Sequence, residues 1–274
     1  MTSDKKKSDQ LKETVKQKYA AISEQSKSEN EGSCCGSSCG CDTVDYAVFA
    51  DDYSEMEGYN EEADLGLGCG LPTGYAHIKE GDTVVDLGSG AGNDCFVARK
   101  EVGETGRVIG LDMTKPMIVK ARKNALKLGF ENVSFVMGDI EEMPLEDELA
   151  DVVVSNCVMN LVPDKRKAFG ETYRILKEGG HFSISDVVIS GELPDTIKED
   201  AEMYAGCVAG AINKEDYLEI VEEAGFTNLK VQKEKRIQLP DGILEKYLSE
   251  DEQQQFKDSG TGIFSITLYA ERKG

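Results

Sequence analysis

The residues with the most chemistry to offer are eight cysteines: Cys34, Cys35, Cys39, Cys41, Cys69, Cys95, Cys157 and Cys207. The polar, lysine-rich start of the chain lacks the apolar stretch of a secretory signal, and no apolar run approaches the roughly 20 residues that span a bilayer. We therefore expect a cytoplasmic protein that binds no membrane. Thiols stay reduced in that compartment, so the cysteines predict soft-metal binding or thiol chemistry more than a disulfide framework.

A glycine-rich turn follows the apolar segment that ends at Asp86-Leu87. Its three alternating glycines, Gly88, Gly90 and Gly92, let the backbone approach a ligand closely. A tight strand-to-helix connection without a ligand would show the same glycines. The turn alone is therefore a weak signal.

Two further strand ends strengthen the prediction. The second strand ends at Asp112, about 20 residues beyond the glycines, where a carboxylate can accept both hydroxyls of a ribose. The third is followed by Asp139 and Ile140, where an exocyclic adenine amine could donate to the carboxylate. Ligands of open α/β sheets bind at such strand ends, so the three positions predict a nucleoside site.

Short apolar segments alternate with helical ones after residue 83, and this order predicts the sheet that positions these residues. Segments that are nearly continuous in apolar residues suit strands buried on both faces. Two helices separate these segments. One runs from Thr114 to Leu128, before Gly129, and the other starts at Asp164 and ends before Gly179-Gly180. Strand, helix and strand repeated in this way mean a parallel sheet. The predicted strands are Thr83–Leu87, Arg107–Asp112, Val133–Met137, Ala150–Ser155 and His181–Val187.

The flanking segments are less regular. Residues 1–42 are polar and predicted to be mobile, apart from an amphipathic helix whose apolar face carries Leu11, Val15, Tyr19 and Ile22. Residues 43–190 form the predicted catalytic domain. Residues 191–274 form a small substrate-binding region with a helix at 214–224 and two edge strands at 230–237 and 264–271. The acidic segment 240–256 is either a lid or an edge of the fold.

The formal net charge of −21, from 31 basic and 52 acidic residues, argues against one class of partner. A protein this acidic repels phosphate backbones and anionic membrane surfaces. We therefore expect neither nucleic acid nor membrane as a partner.

With these motifs the sequence resembles the class I S-adenosylmethionine methyltransferases, whose first motif is an acidic residue followed by Gly-x-Gly-x-Gly. Gly92 comes one position too early for the dinucleotide fingerprint. The resemblance implies an α/β, doubly wound, mostly parallel seven-stranded sheet. It implies a cofactor site made of Asp86, Gly88, Gly90, Gly92, Asp112, Met113, Asp139, Ile140 and Asn156.

Within that superfamily the chain is similar to the arsenite methyltransferases over roughly residues 60–215. The matching words are Leu65-Gly66-Leu67-Gly68-Cys69-Gly70, Asp86-Leu87-Gly88-Ser89-Gly90-Ala91-Gly92, Asp112-Met113-Thr114, Ser155-Asn156-Cys157-Val158-Met159-Asn160-Leu161 and Ala205-Gly206-Cys207. The resemblance implies that Cys69, Cys157 and Cys207 bind trivalent arsenic. Thiolates are soft ligands, which fits this acceptor. We expect Cys69 to lie in a flexible glycine-rich loop.

The resemblance also implies a redox partner among the amino-terminal cysteines, and Cys41 leads over Cys34 and Cys35. Repeated rounds of transfer to an arsenical would then need an external thiol reductant of the thioredoxin or glutathione type. Zinc or another soft metal held by Cys34, Cys35, Cys39 and Cys41 is an alternative, although paired Cys-x-x-Cys ligands are missing.

Other interpretations remain open for the chain and for single residues. A carbon or oxygen methyltransferase acting on quinones or sterols would share the cofactor half, and a soft-metal sensor or sequestering protein would share the cysteines. Cys157 ends an apolar strand and could simply pack there. Cys95 begins a helix and is expected to pack, and His77 and His181 are expected to have surface or packing roles.

Overall fold

The computed structural model of the protein describes residues 3–25, 30, 52–191, 210–237, 245, 248–258 and 262–274. Its centre is a seven-stranded sheet with the strand order β3-β2-β1-β4-β5-β7-β6. The strands are β1 (Thr83–Leu87), β2 (Arg107–Asp112), β3 (Val133–Met137), β4 (Ala150–Asn156), β5 (Leu176–Ser190), β6 (Phe226–Ile237) and β7 (Gly262–Arg272). The strands β1 to β5 pair in parallel, and β7 lies antiparallel between β5 and β6. The predicted doubly wound α/β fold is confirmed.

The helices are α1 (Ser3–Ile22), α2 (Asn93–Val102), α3 (Lys115–Leu128), α4 (Lys165–Ile175), α5 (Lys214–Glu223) and α6 (Glu250–Asp258). The predicted limits of α3 are right. Thr114 precedes it in extended conformation, and Gly129 follows it with φ = 68° while its N–H bonds the carbonyls of Ala125 and Leu126. Such a left-handed residue is the usual glycine end of a helix.

The predicted end of α4 at Gly179-Gly180 is wrong. The helix ends at Ile175, and β5 begins at the next residue. The reason lies far away in sequence, because the Arg272 guanidinium on β7 donates to the carbonyls of Tyr173, Arg174 and Leu176 and so satisfies the last turn of the helix. No local pattern could reveal this partner.

Alternating residues of β1 fill two cores, one on each face of the sheet. Val85 and Leu87 pack with residues of α4 and α5. Val84 faces the other core, which residues of α2 and α3 fill and which Ile22 of α1 joins. The sheet is therefore covered on both faces, and its carboxyl-terminal edge is left to form a site.

Several expectations fall on residues outside the described ranges. These are the ones concerning Cys34, Cys35, Cys39, Cys41 and Cys207, as well as most of the segment 240–256 ahead of α6. Within the described ranges, no helix combines the length and apolar character needed to cross a membrane.

Candidate active site

The turn after β1 and the end of β2 form one unit around Asp112. The carboxylate accepts hydrogen bonds from the backbone N–H of Gly90 at 3.0 Å and of Thr114 at 2.7 Å. Burial raises the pKa of Asp112, whereas these bonds oppose the rise. Gly90 has φ = 51°, and a Cβ built on it meets nothing within 4 Å. A ligand can therefore approach the backbone here, as a nucleoside cofactor requires.

A cavity opens at this edge of the sheet. Eight of the nine predicted cofactor residues line it, namely Asp86, Gly88, Gly90, Asp112, Met113, Asp139, Ile140 and Asn156. Gly92 is not among the lining residues. A Cβ on Gly92 would come within 2.8 Å of the Phe96 ring, so this glycine instead permits close packing of the turn on α2.

The cavity wall is strongly acidic. Among the lining residues that the structure describes, five are carboxylic acids, and Lys12 is the one cation. This balance favours a positively charged ligand and repels a pyrophosphate. The five acids are Asp64, Asp86, Asp94, Asp112 and Asp139.

Asp139 has a partner that the sequence did not suggest. The Lys12 Nζ lies 2.7 Å from a carboxylate oxygen of Asp139 and 2.7 Å from one of Glu141. Burial raises the pKa of Asp139, but hydrogen bonds from Lys12 and the Glu141 backbone, together with the charges of Lys12 and Lys16, lower the pKa overall. Helix α1, whose Lys12, Val15 and Tyr19 line the cavity, is thereby attached to the strand end where an adenine amine was expected.

A buried network around Asp94 was also missed. Its carboxylate accepts hydrogen bonds from the Tyr53 hydroxyl at 2.8 and 2.9 Å and from the Asn156 side-chain amide at 3.3 Å. Burial raises the pKa of Asp94 to about 6, and the hydrogen bonds limit the rise. Burial and the Asp94 charge also raise the pKa of the neighbouring Asp86 well above its usual range. In the sequence, the signal that could have indicated this network is an acidic residue two positions after Gly92.

Asn156 connects the cofactor cavity to Cys69. Its side-chain oxygen accepts the backbone N–H of Cys69 at 2.9 Å, and its amide nitrogen donates to the Gly70 carbonyl at 2.9 Å. The Ser265 hydroxyl donates to the carbonyl of Cys69. One side chain at the end of β4 therefore fixes the cysteine relative to the cavity.

The expectation of a flexible loop around Cys69 is wrong for this structure. Cys69 is buried, and its backbone is hydrogen-bonded on both sides. The neighbouring glycines serve close packing, because a Cβ on Gly68 would lie 2.6 Å from the Asn156 amide nitrogen and one on Gly70 would lie 2.5 Å from the Ser185 hydroxyl.

Cys157 lies directly after β4 and lines the cavity. Its backbone has φ = 59°, and its N–H donates to the Ser185 carbonyl at 2.8 Å. The ligand atoms of Cys69, Cys157 and Asp186 all lie within 4.8 Å of one another, and all three residues are buried. The structure thus brings two of the three predicted arsenic ligands together, while Cys207 lies outside the described residues.

The remaining predictions concern packing. Cys95 is completely buried in α2, where its Sγ donates to an Asp86 carboxylate oxygen at 3.2 Å. His181 contacts the Ala76 carbonyl through Nε2 at 2.6 Å, and His77 is exposed with its ring against Tyr269. None of these three residues lines the cavity.

Comparison with known proteins adds a family. A family model described as a methyltransferase domain matches residues 78–225. An arsenic(III) S-adenosylmethionine methyltransferase from Chlamydomonas reinhardtii has a solved structure that is 35% identical, with a TM-score of 0.64 over 75% of this chain and 68% of that one. The chain belongs to the arsenite methyltransferase family.

Curated relatives in this family cover most of the chain. The arsenite methyltransferase of Halobacterium salinarum is 42% identical over 235 residues, which are 81% of this chain and 59% of that protein. The human arsenite methyltransferase is 40% identical over 197 residues, 68% of this chain and 52% of that protein. The chain therefore spans about half to three fifths of the length of these arsenite methyltransferases.

Proposed function

We propose that this member of the arsenite methyltransferase family transfers methyl groups from S-adenosylmethionine to trivalent arsenic held by cysteine thiolates. The observation that carries the proposal is the position of the Cys69 and Cys157 thiols, which lie together and buried beside the cofactor cavity. We assign the third thiolate to Cys207. Because the ligands must be reduced thiols, the proposed site of action is the cytoplasm.

The residues of the cavity fit this cofactor. Asp112 is positioned to bind the ribose hydroxyls, Ile140 and Asp139 to bound the adenine, and Asp94 to attract positive charge. When bound, S-adenosylmethionine supplies a methyl group on a positively charged sulfur. Asn156, which contacts both Asp94 and the Cys69 backbone, sets the distance between the two halves of the site.

The chemistry on arsenic needs positioning more than proton transfer. Each thiol that binds arsenite forms one As–S bond and releases one hydroxyl group as water. Three thiolates leave the arsenic lone pair available as the nucleophile. Methyl transfer raises arsenic from the trivalent to the pentavalent state. Before a second round, two electrons must restore it, which external thiols of the thioredoxin or glutathione type supply when two of them are oxidised to one disulfide. We assign the redox partner within the chain to Cys41, with Cys34 and Cys35 as the next candidates.

The decisive experiment incubates the purified protein with labelled S-adenosylmethionine, a dithiol and arsenite, and then separates the arsenic species. Cys69→Ser, Cys157→Ser and Cys207→Ser should each lower transfer to arsenite by about 100-fold or more, with strongly non-additive losses, because the ligands act as a unit. Cys69→Ser should still methylate a monomethyl arsenical, which needs only two thiolates. Cofactor binding, measured by calorimetry, should persist in all three variants.

The matched control is Cys95→Ser, which makes the same change at a buried thiol outside the cavity and should keep arsenite turnover. Near-normal turnover in each of the three ligand variants would contradict the thiolate site and favour a quinone-type or sterol-type acceptor. Arsenite binding without any methylated product would favour a soft-metal sensor.

A further inference from the structure

The site contains a carboxylate for which the proposed methyl transfer has no use. Asp186 lies on β5, is fully buried, and places a carboxylate oxygen within 4.8 Å of both the Cys69 and the Cys157 sulfur. Arsenic bound by three thiolates needs no oxygen ligand from the protein. A buried carboxylate is costly to maintain, so its place beside two thiols calls for a different explanation.

Asp186 is held in position from the protein side. The Tyr217 hydroxyl, fully buried on α5, donates to one carboxylate oxygen at 3.1 Å, and the Val187 N–H donates to the other at 3.0 Å. Among the described residues, no ion pair includes Asp186. The positive charge of Lys165 nevertheless favours the ionised form of the Asp186 carboxylate. Within the described part of the chain, neutral donors therefore orient the carboxylate.

Two sulfurs and one oxygen form the donor set of a thiophilic divalent cation. Zinc binds thiolate sulfur at about 2.3 Å and carboxylate oxygen at about 2.0 Å, usually in a tetrahedron. Two thiolates and one carboxylate would carry three negative charges in a buried position, and a divalent cation bonded to all three would offset two of these charges directly at the ligand atoms. The tyrosine that donates to the carboxylate corresponds to the outer partner that orients metal ligands in proteins.

We propose that Cys69, Cys157 and Asp186 form a binding site for a thiophilic divalent cation such as zinc or cadmium, with Tyr217 orienting the carboxylate. Because the ligand atoms lie within 4.8 Å of one another, the three groups would need to close by at most about 1 Å to bind one tetrahedral ion. Cation binding itself does not depend on methyl transfer. Its regulatory consequence rests on the proposed function: because the cation and arsenite share two thiolates, each excludes the other.

Cadmium titration tests the site, because thiolate binding produces an ultraviolet charge-transfer absorption. The reduced full-length protein carries Cys34→Ser, Cys35→Ser, Cys39→Ser and Cys41→Ser so that the amino-terminal thiols do not compete. Competition with a chelator gives the affinity. Asp186→Asn should weaken cadmium binding by about tenfold or more, and Tyr217→Phe should weaken it less while leaving the carboxylate in place.

Two controls separate this role from a structural one. Cys95→Ser should leave cadmium affinity unchanged. Asp186→Asn should keep arsenite binding within about twofold, because arsenic uses sulfur ligands alone. If Asp186→Asn fails to fold, the cadmium affinity of Tyr217→Phe tests the site instead.

The outcomes are distinct. Unchanged cadmium affinity in a folded Asp186→Asn protein overturns the cation site. If that variant does not fold, unchanged affinity in Tyr217→Phe overturns it. Equal losses of cadmium and arsenite binding in either variant also overturn it, since the carboxylate would then support the cysteines generally. Cadmium binding that depends on Asp186 in a protein that never methylates arsenite supports the cation site and contradicts the proposed function.

Discussion

The carboxylates of the cavity differ in how burial, hydrogen bonds and neighbouring charges shift their pKa values. Burial and the neighbouring Asp94 charge raise the pKa of Asp86 well above its usual range, whereas hydrogen bonds limit the rise in the pKa of Asp94 to about 6. The Tyr53 hydroxyl and the Asn156 amide both donate to Asp94 and favour its charged form. We therefore propose that Asp94 attracts the cationic cofactor in a pH-dependent way.

We predict that cofactor affinity falls by about tenfold between pH 7.5 and pH 5, because Asp94, with its pKa raised to about 6, becomes protonated over this range. The contribution of Asp94 to stability has the opposite sign. Because folding raises the pKa of Asp94, binding of a proton to its carboxylate stabilises the fold. This contribution is complete below the pKa that Asp94 has in the unfolded chain, and it is lost as the pH rises through about 6. Calorimetry at the two pH values measures the affinity. Asp94→Asn should lose most of the dependence, and a wild-type affinity that does not change with pH would contradict the assignment.

At the scale of elements, the sequence predicted what local patterns control. Apolar segments predicted the limits of β1 to β4 nearly to the residue, and Gly129 predicted the end of α3. Both burial on two faces and helix capping are local signals. The end of α4 was missed because Arg272 caps it from β7. The cavity residues at strand ends were found, whereas Lys12 and Tyr53 were not, because only the packing of distant segments brings them there.

Helix α1 illustrates such a long-range contact. Val15 and Ile22 are buried on the catalytic domain, the Lys120 Nζ donates to the Ser23 carbonyl just beyond its end, and Lys12 joins it to Asp139 and Glu141. The helix therefore covers part of the cavity, and both apolar packing and the ion pairs of Lys12 attach it there.

We predict that Lys12→Met speeds dissociation of the cofactor by roughly threefold to tenfold, because it removes two partly exposed ion pairs that hold α1 over the cavity. Stopped-flow measurement gives the dissociation rate, and hydrogen exchange reports the opening of α1. Lys6→Met makes the same change at an exposed position of the helix and should have no effect. Equal rates in the two variants would show that Lys12 does not retain the helix.

At the scale of the whole molecule, the net charge of −21 acts against the compact state. The acidic residues that line the cavity are part of this excess of negative charge. Attraction of a cationic cofactor and self-repulsion of the fold thus share one origin in the composition.

We predict that the midpoint of thermal unfolding rises as salt increases from about 0.01 M to about 0.5 M, because screening weakens the repulsion between carboxylates. Circular dichroism during heating measures it. Cofactor affinity should fall over the same range, since the same screening weakens the attraction of the cavity. A midpoint that drops with salt would mean that local ion pairs such as that of Lys12 outweigh the global repulsion.

The left-handed backbone of Cys157 limits what can replace it. A side chain at φ = 59° costs about 1–2 kcal/mol relative to ordinary backbone, a cost that glycine avoids. Glycine would relieve this backbone cost, while the proposed chemistry needs sulfur. Loss of the thiol is the change that the backbone itself would tolerate best. Under the proposed function, the substitution that relieves the backbone at this residue is therefore also one that removes an arsenic ligand.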